Sequence, residues 1–197
     1  MTTQVERTAL KEWAVLVDAM ARGDIIAMVR KGGIREHRSG FTVRHERFVL
    51  YPTYFHENTA DLAARFHPTL ADSHARRPPD GTIRVSHLVQ VRAVWNITDP
   101  SLLSAVAHEH GLAPRAVESR FHYRGTSSVR LVAVRTLALA NPAEIAEAPR
   151  YAGCVSWLEL DRDIVTDGAR PVIDDHLLQQ RLDRLHALLG DAERETP

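Results

Sequence analysis

Thiols are almost missing from this chain: Cys154 is its only cysteine. One thiol makes no internal disulfide, which excludes a cross-linked secreted scaffold. Lysine is nearly as scarce, confined to Lys11 and Lys31 among 25 Lys and Arg residues. The arginine skew reads as codon bias in a GC-rich genome, and it makes any mechanism that needs a lysine easy to test. No apolar run approaches the ~20 residues of a membrane-spanning helix, so no membrane partner is expected. Residues 1–7 are polar and include an acid, unlike the basic head and apolar middle of a secretory signal. The cytoplasm is the expected compartment. Net charge is also absent, with Lys+Arg and Asp+Glu at 25 each. No global basic field draws the chain onto DNA, RNA or membrane, although a zero sum leaves room for a local basic patch.

What is present suits a globular domain: 197 residues, 44% hydrophobic and 25% charged. A chain of this size hides roughly 70% of its unfolded surface, enough for one good core. A single domain over residues 1–190 is expected, followed by a disordered tail at 191–197. Thr3 and Glu6 have the form of a capping box, and Leu10, Trp13, Ala14, Val17 and Met20 trace a helical stripe that stops at Gly23. Residues 25–30 and 47–51 read as strands, and 57–66 have helical character. Residues 76–81 carry every turn signal. From Ile83 to Ile97 apolar and polar residues alternate, which predicts one long strand with a buried face, bent as in a barrel. Asp99-Pro100 opens a helix that ends near Gly111, and Pro114 opens another that stops at Gly125. Residues 129–139 and 154–160 are further strands. A final helix over 174–189 repeats Leu178, Leu182, Leu185 and Leu189 at helical spacing. The order predicts an α+β fold: a curled, mostly antiparallel β-barrel with peripheral helices.

Three constellations carry possible chemistry. Arg30-Lys31-Gly32-Gly33-Ile34-Arg35 combines a strand end, permissive backbone and three cations, the makings of an anion cradle. It has neither Walker nor dinucleotide spacing, and a solvated hairpin tip is the alternative. Tyr51-Pro52-Thr53-Tyr54-Phe55-His56-Glu57 offers rings for base stacking, and His56 is a candidate acid or base. Its alternative is a corner whose rings enter the core. The third set is Arg115, Arg120, His122, Tyr123 and Arg124, charges mixed with a ring, as in a nucleic-acid groove, or else a plain solvated helix face. His108-Glu109-His110 is the densest histidine group, but helical positions two apart point ~200° away from each other and share no metal. No metal and no cofactor is expected. Cys154 reads as a small buried thiol.

The segments Ala9-Leu10-Lys11-Glu12-Trp13-Ala14, Arg30-Lys31-Gly32-Gly33-Ile34, FVLYPT at 48–53 and Gly153-Cys154-Val155-Ser156-Trp157 together resemble the bacterial domain of unknown function DUF1802. The resemblance runs over most of the chain, residues 9–189. It implies no settled activity; association of some members with restriction-endonuclease-like domains implies a role in restriction–modification. A helix ending at Gly23, then a strand ending at Arg30, is similar to the opening of the PUA-like superfamily. That superfamily includes the ASCH and EVE domains, small barrels that bind RNA or modified bases. Where the ASCH form has a lysine two after the glycine and a glutamate near the strand end, this chain has Ile25 and Met28.

The leading expectation is a nucleic-acid-binding or modified-nucleotide-binding module, partnered with RNA or DNA. Arg30, Lys31, Arg35 and Arg124 would meet phosphates, the amides of Gly32 and Gly33 would close the cradle, and Tyr51, Tyr54 and His56 would line a base pocket. Two alternatives stay open. One is an enzyme on a phosphorylated or nucleotide substrate, with His56 as acid or base near Glu57. The other is an interaction subunit that docks or forms a homodimer through the last helix.

Overall fold

The computed structural model describes residues 3–31, 43–123, 127–153 and 155–190, with the backbone of 194–195. The strands are β1 (Val5–Trp13), β2 (Ala27–Arg30), β3 (Arg47–Thr53), β4 (Thr82–Ile97), β5 (Val129–Ala146), β6 (Trp157–Val165), β7 (Arg170–Pro171) and β8 (Arg194–Glu195). The helices are α1 (Ala14–Ala21), α2 (His67–Ala75), α3 (Pro100–Ala105), α4 (Pro114–His122) and α5 (Asp175–Leu189). All strands join one sheet in the order β2-β5-β4-β3-β1-β6, with β7 on β5 and β8 on β4. Among the described residues every strand pairing is antiparallel except β1 on β3.

The α+β class and the mostly antiparallel pairing hold; barrel closure does not. The strand path ends at β2 and β6, which do not pair. Four-residue β2 matches only Arg130–Ala133 of β5, and closure needs a continuous ring of pairings with consistent stagger. The ladder between β4 and β5 shifts register between Val85 and His87 and again between Val91 and Ala93. Bulges of this kind bend a strand and raise its twist. One face of the sheet packs with the helices around Leu10, Trp95, Leu131 and Met20. The other closes on itself around Ala9, Tyr51, Val85, Leu158 and Tyr151.

Several local expectations are revised. Thr3–Glu6 is no capping box: Val5–Trp13 is strand, and α1 begins only at Ala14. Glu6 Oε1 instead accepts from the amides of Arg7 (3.1 Å) and Thr8 (2.9 Å), at the register shift between β1 and β6. Leu10 and Met20 do share a core, so a strand and the helix after it imitated a single stripe. Residues 57–66 form two short 3₁₀ turns, and the α-helix follows at His67–Ala75, where Pro68 sits in its first turn. Asp99 caps α3 by accepting from Ser101 N at 2.8 Å, as expected, but α3 stops at Ala105. β5 runs seven residues beyond the expected end, pairing Ala143–Ala146 with Thr82–Val85 and burying Ile145.

Asp174 caps α5 through Leu177 N at 2.8 Å, and Leu178, Leu182, Leu185 and Leu189 are all buried in the chain's own core. That occupies the leucine face through which a docking or dimerising helix would act. Leu182→Ala is expected to destabilise the fold by about 2–5 kcal/mol in urea unfolding, with a midpoint independent of protein concentration. A concentration-dependent midpoint would restore the leucine face to an interface.

Candidate functional site

Because β1 and β3 are parallel, both end at the same edge, with Lys11 opposite Tyr51 and Trp13 opposite Thr53. A cavity of about 720 Å³ opens there, and the end of β2, the end of α4 and the segment before β6 complete its walls. On one side Arg30 donates to the Lys11 carbonyl (3.0 Å) and to Glu12 Oε2 (3.3 Å). Arg30 and Glu12 side chains are 11% and 3% exposed, so the pair is desolvated and its attraction little screened. Arg120 donates to the Val29 carbonyl at 2.7 Å, and its guanidinium lies 5.0 Å from the Trp13 ring centroid. Burial lowers the pKa of Arg120, opposed by the Glu12 charge. Lys31 Nζ donates to the carbonyls of Phe121 and Ser128, both at 2.7 Å. Burial lowers its pKa as well. Arg30 and Lys31 at the end of β2 and Arg120 of α4 therefore meet in space.

The opposite wall carries the rings. Tyr51 is 2% exposed, edge-on to Tyr151 at 5.8 Å, with Lys11 Nζ at 5.8 Å from its centroid. Burial pushes its hydroxyl pKa up strongly, followed by the charge of Glu147. Tyr54 is half-buried, with Arg77 5.1 Å over its ring and His74 edge-on at 5.6 Å. Burial raises its hydroxyl pKa too. His56 lines the cavity from an exposed position with φ of +64°, a left-handed conformation unusual for a residue with a side chain. The structure brings together five of the expected site residues: Arg30, Lys31, Tyr51, Tyr54 and His56. Gly32, Gly33, Arg35 and Arg124 lie outside the described residues, as does Cys154.

Glu57 is not the partner of His56 that the acid–base reading needs. Its shielded carboxylate accepts from Val15 N (2.9 Å) at the start of α1 and meets His74 Nε2 at 2.7 Å. Burial raises its pKa against those two bonds. Elsewhere, Arg115 pairs with Asp61 (2.9 Å) and His122 with Glu118 (2.8 Å), both away from the cavity lining. No group of three His, Cys, Asp or Glu placed to hold a metal occurs among the described residues. Glu109 is buried and takes Arg181 Nε on both oxygens at 3.1 Å. His110 Nε2 lies 3.0 Å from the Leu103 carbonyl, and its Nδ1 accepts from Leu112 N at 3.1 Å, which fixes the neutral Nε2–H tautomer.

Lys11, Glu12, Trp13 and Arg77 were not among the expected site residues. The legible signal was lysine scarcity, because both lysines of the chain line this one cavity. Each ammonium donates to two backbone carbonyls: Lys11 to those of Tyr151 and Gly153, Lys31 to those of Phe121 and Ser128. A compact ammonium makes such a clamp from a single nitrogen, whereas a guanidinium spreads its donors over a planar fork.

A profile of the family described as "Domain of unknown function (DUF1802)" matches residues 9–184, and the chain belongs to that family. No curated protein matches the sequence. Among solved structures, the crystal structure of ASCH from Zymomonas mobilis is similar at 13% identity and a TM-score of 0.44, covering 90% of this chain and 94% of that one. The S128A mutant protein of the same ASCH gives 13% identity and a TM-score of 0.42, covering 92% and 99%. Neither lends a residue role to this chain.

Two predictions arise from these contacts. Lys31→Arg keeps the charge but loses the two-carbonyl clamp; it is expected to lower stability by roughly 1–3 kcal/mol in urea unfolding, and wild-type stability would refute the clamp. For His110, burial first, offset by the Leu103 bond, brings the folded pKa from 6.5 down to about 4. The unfolded chain then binds the extra proton between those values, so stability falls as pH drops through that window, by about 3 kcal/mol in full. Unfolding free energies at pH 7 and pH 4.5 measure this, and a His110→Gln protein should lose that part of the dependence.

Proposed function

We propose that the cavity binds a nucleotide, as part of a nucleic acid or as a modified nucleotide. One observation carries this: Lys11, Arg30, Lys31, Arg77 and Arg120 line the same 720 Å³ space as Trp13, Tyr51 and Tyr54, against the carboxylates of Glu12 and Glu147. Cations attract phosphate, while rings and guanidinium planes stack on bases, and a ligand that carries both chemistries matches both kinds of wall. Two of the arginines lie over rings, so their planes are already held for stacking. Arg30 and Lys31 are the phosphate-facing groups in this reading; Tyr51, Tyr54 and His56 border the base. Such a module would serve RNA metabolism or restriction–modification, the settings that the family resemblance suggests. The alternatives draw less support, since Glu57 is engaged at α1 and the α5 leucines are internal.

Titration of labelled RNA and DNA at two salt concentrations tests the proposal. Affinity should fall with salt by about 0.7 log unit per log unit for each phosphate neutralised on a single strand. Arg77→Ala alters a residue whose side chain is 45% exposed, so the fold tolerates it, and it should lower both the affinity and that slope. No binding of RNA, DNA or mononucleotide at low salt would remove the proposal.

A further inference from the structure

Two further rings at the cavity stand exposed, beyond those assigned to the base. Phe55 is 65% exposed and Tyr123 is 42% exposed, and both line the cavity. Among the described residues every other Phe, Tyr and Trp is buried or half-buried. The exposed rings come from different elements, Phe55 just after β3 and Tyr123 at the end of α4. Phe55 lies beside the His56 ring, with centroids 3.9 Å apart and planes tilted by 58°. Phe55 N donates to Thr53 Oγ1 (3.3 Å), and the next residue, His56, takes the left-handed conformation. On the other side, Lys31 holds the Phe121 carbonyl two residues before Tyr123, which leaves α4 in extended conformation (φ −60°, ψ 129°). A ring exposed to water forgoes burial, and two at one opening offer flat apolar faces at the cavity.

Resting on the nucleotide reading of the cavity, we infer that its occupant is a segment of single-stranded nucleic acid. One base enters the cavity, and the bases before and after it stack on Phe55 and Tyr123. Stacking on rings is tolerant of sequence, because every base has a π-face. It requires those faces to be free, so a continuous duplex, whose bases cover one another, does not fit. The cations within the cavity then follow the backbone of the entering nucleotide, and the rims hold its neighbours.

The test uses the full chain and labelled pentanucleotides, RNA and DNA, with a nucleoside monophosphate and a matching duplex as competitors. The pentanucleotide is expected to bind at least about tenfold more tightly than the monophosphate, and the duplex to compete poorly. Abasic sites on both sides of the central base should cost about tenfold or more, as should Phe55→Ala or Tyr123→Ala. The abasic ligands leave the protein untouched, so their loss of affinity cannot come from misfolding. A monophosphate that competes as well as the pentanucleotide, unchanged affinity with abasic flanks, or equal binding of duplex would each overturn the inference while leaving the cavity reading intact. Absence of binding by every nucleotide form would overturn both.

Discussion

The parallel register of β1 on β3 places Lys11 against Tyr51 and Trp13 against Thr53, so two strands deliver their last side chains to one edge. In an otherwise antiparallel sheet, neighbouring strands leave at opposite edges, and the residues after them part company. Here they converge. Successive strand residues face opposite sides, and the edge therefore gathers Tyr51 and Lys11 from the face packed around Tyr151, and Glu12 from the helix-covered face. The cavity wraps around the end of the sheet for this reason.

Burial then shapes the chemistry of what converges. A cation removed from water is held only by groups that answer its charge. Glu12 and the Lys11 carbonyl answer Arg30, the Val29 carbonyl and the Trp13 ring answer Arg120, and two carbonyls answer each lysine. The contacts that satisfy the cations also join β1, β2, α4 and the segment before β6. The positive charge of the cavity and the rigidity of its walls are thus one set of bonds.

Strong local patterns were legible. The alternation over Ile83–Ile97 became β4, Asp99-Pro100 capped α3, and the α5 leucines are buried as spaced. The opening segment was misread because helical spacing is indifferent to whether Leu10 comes from a strand. The far end of β5 is masked in the sequence by Asn141-Pro142, a turn signal that falls where the ladder to β4 shifts register, although Ile145 beyond it is buried. Of the site, the Arg30–Lys31 turn and the Tyr51–His56 corner were legible from composition beside strand ends, while Lys11, Glu12 and Trp13 were absorbed into the supposed helix.

The sequence by itself determined which segments could be ordered and which side chains could carry charge or rings, since those follow from local spacing and residue type. Tertiary structure alone decided that the strand ends would meet, that Glu57 would serve α1, and that the leucine helix would turn inward. Those outcomes depend on pairing between segments dozens of residues apart, and the choice of a parallel rather than an antiparallel partner for β1 has no local signature in the chain.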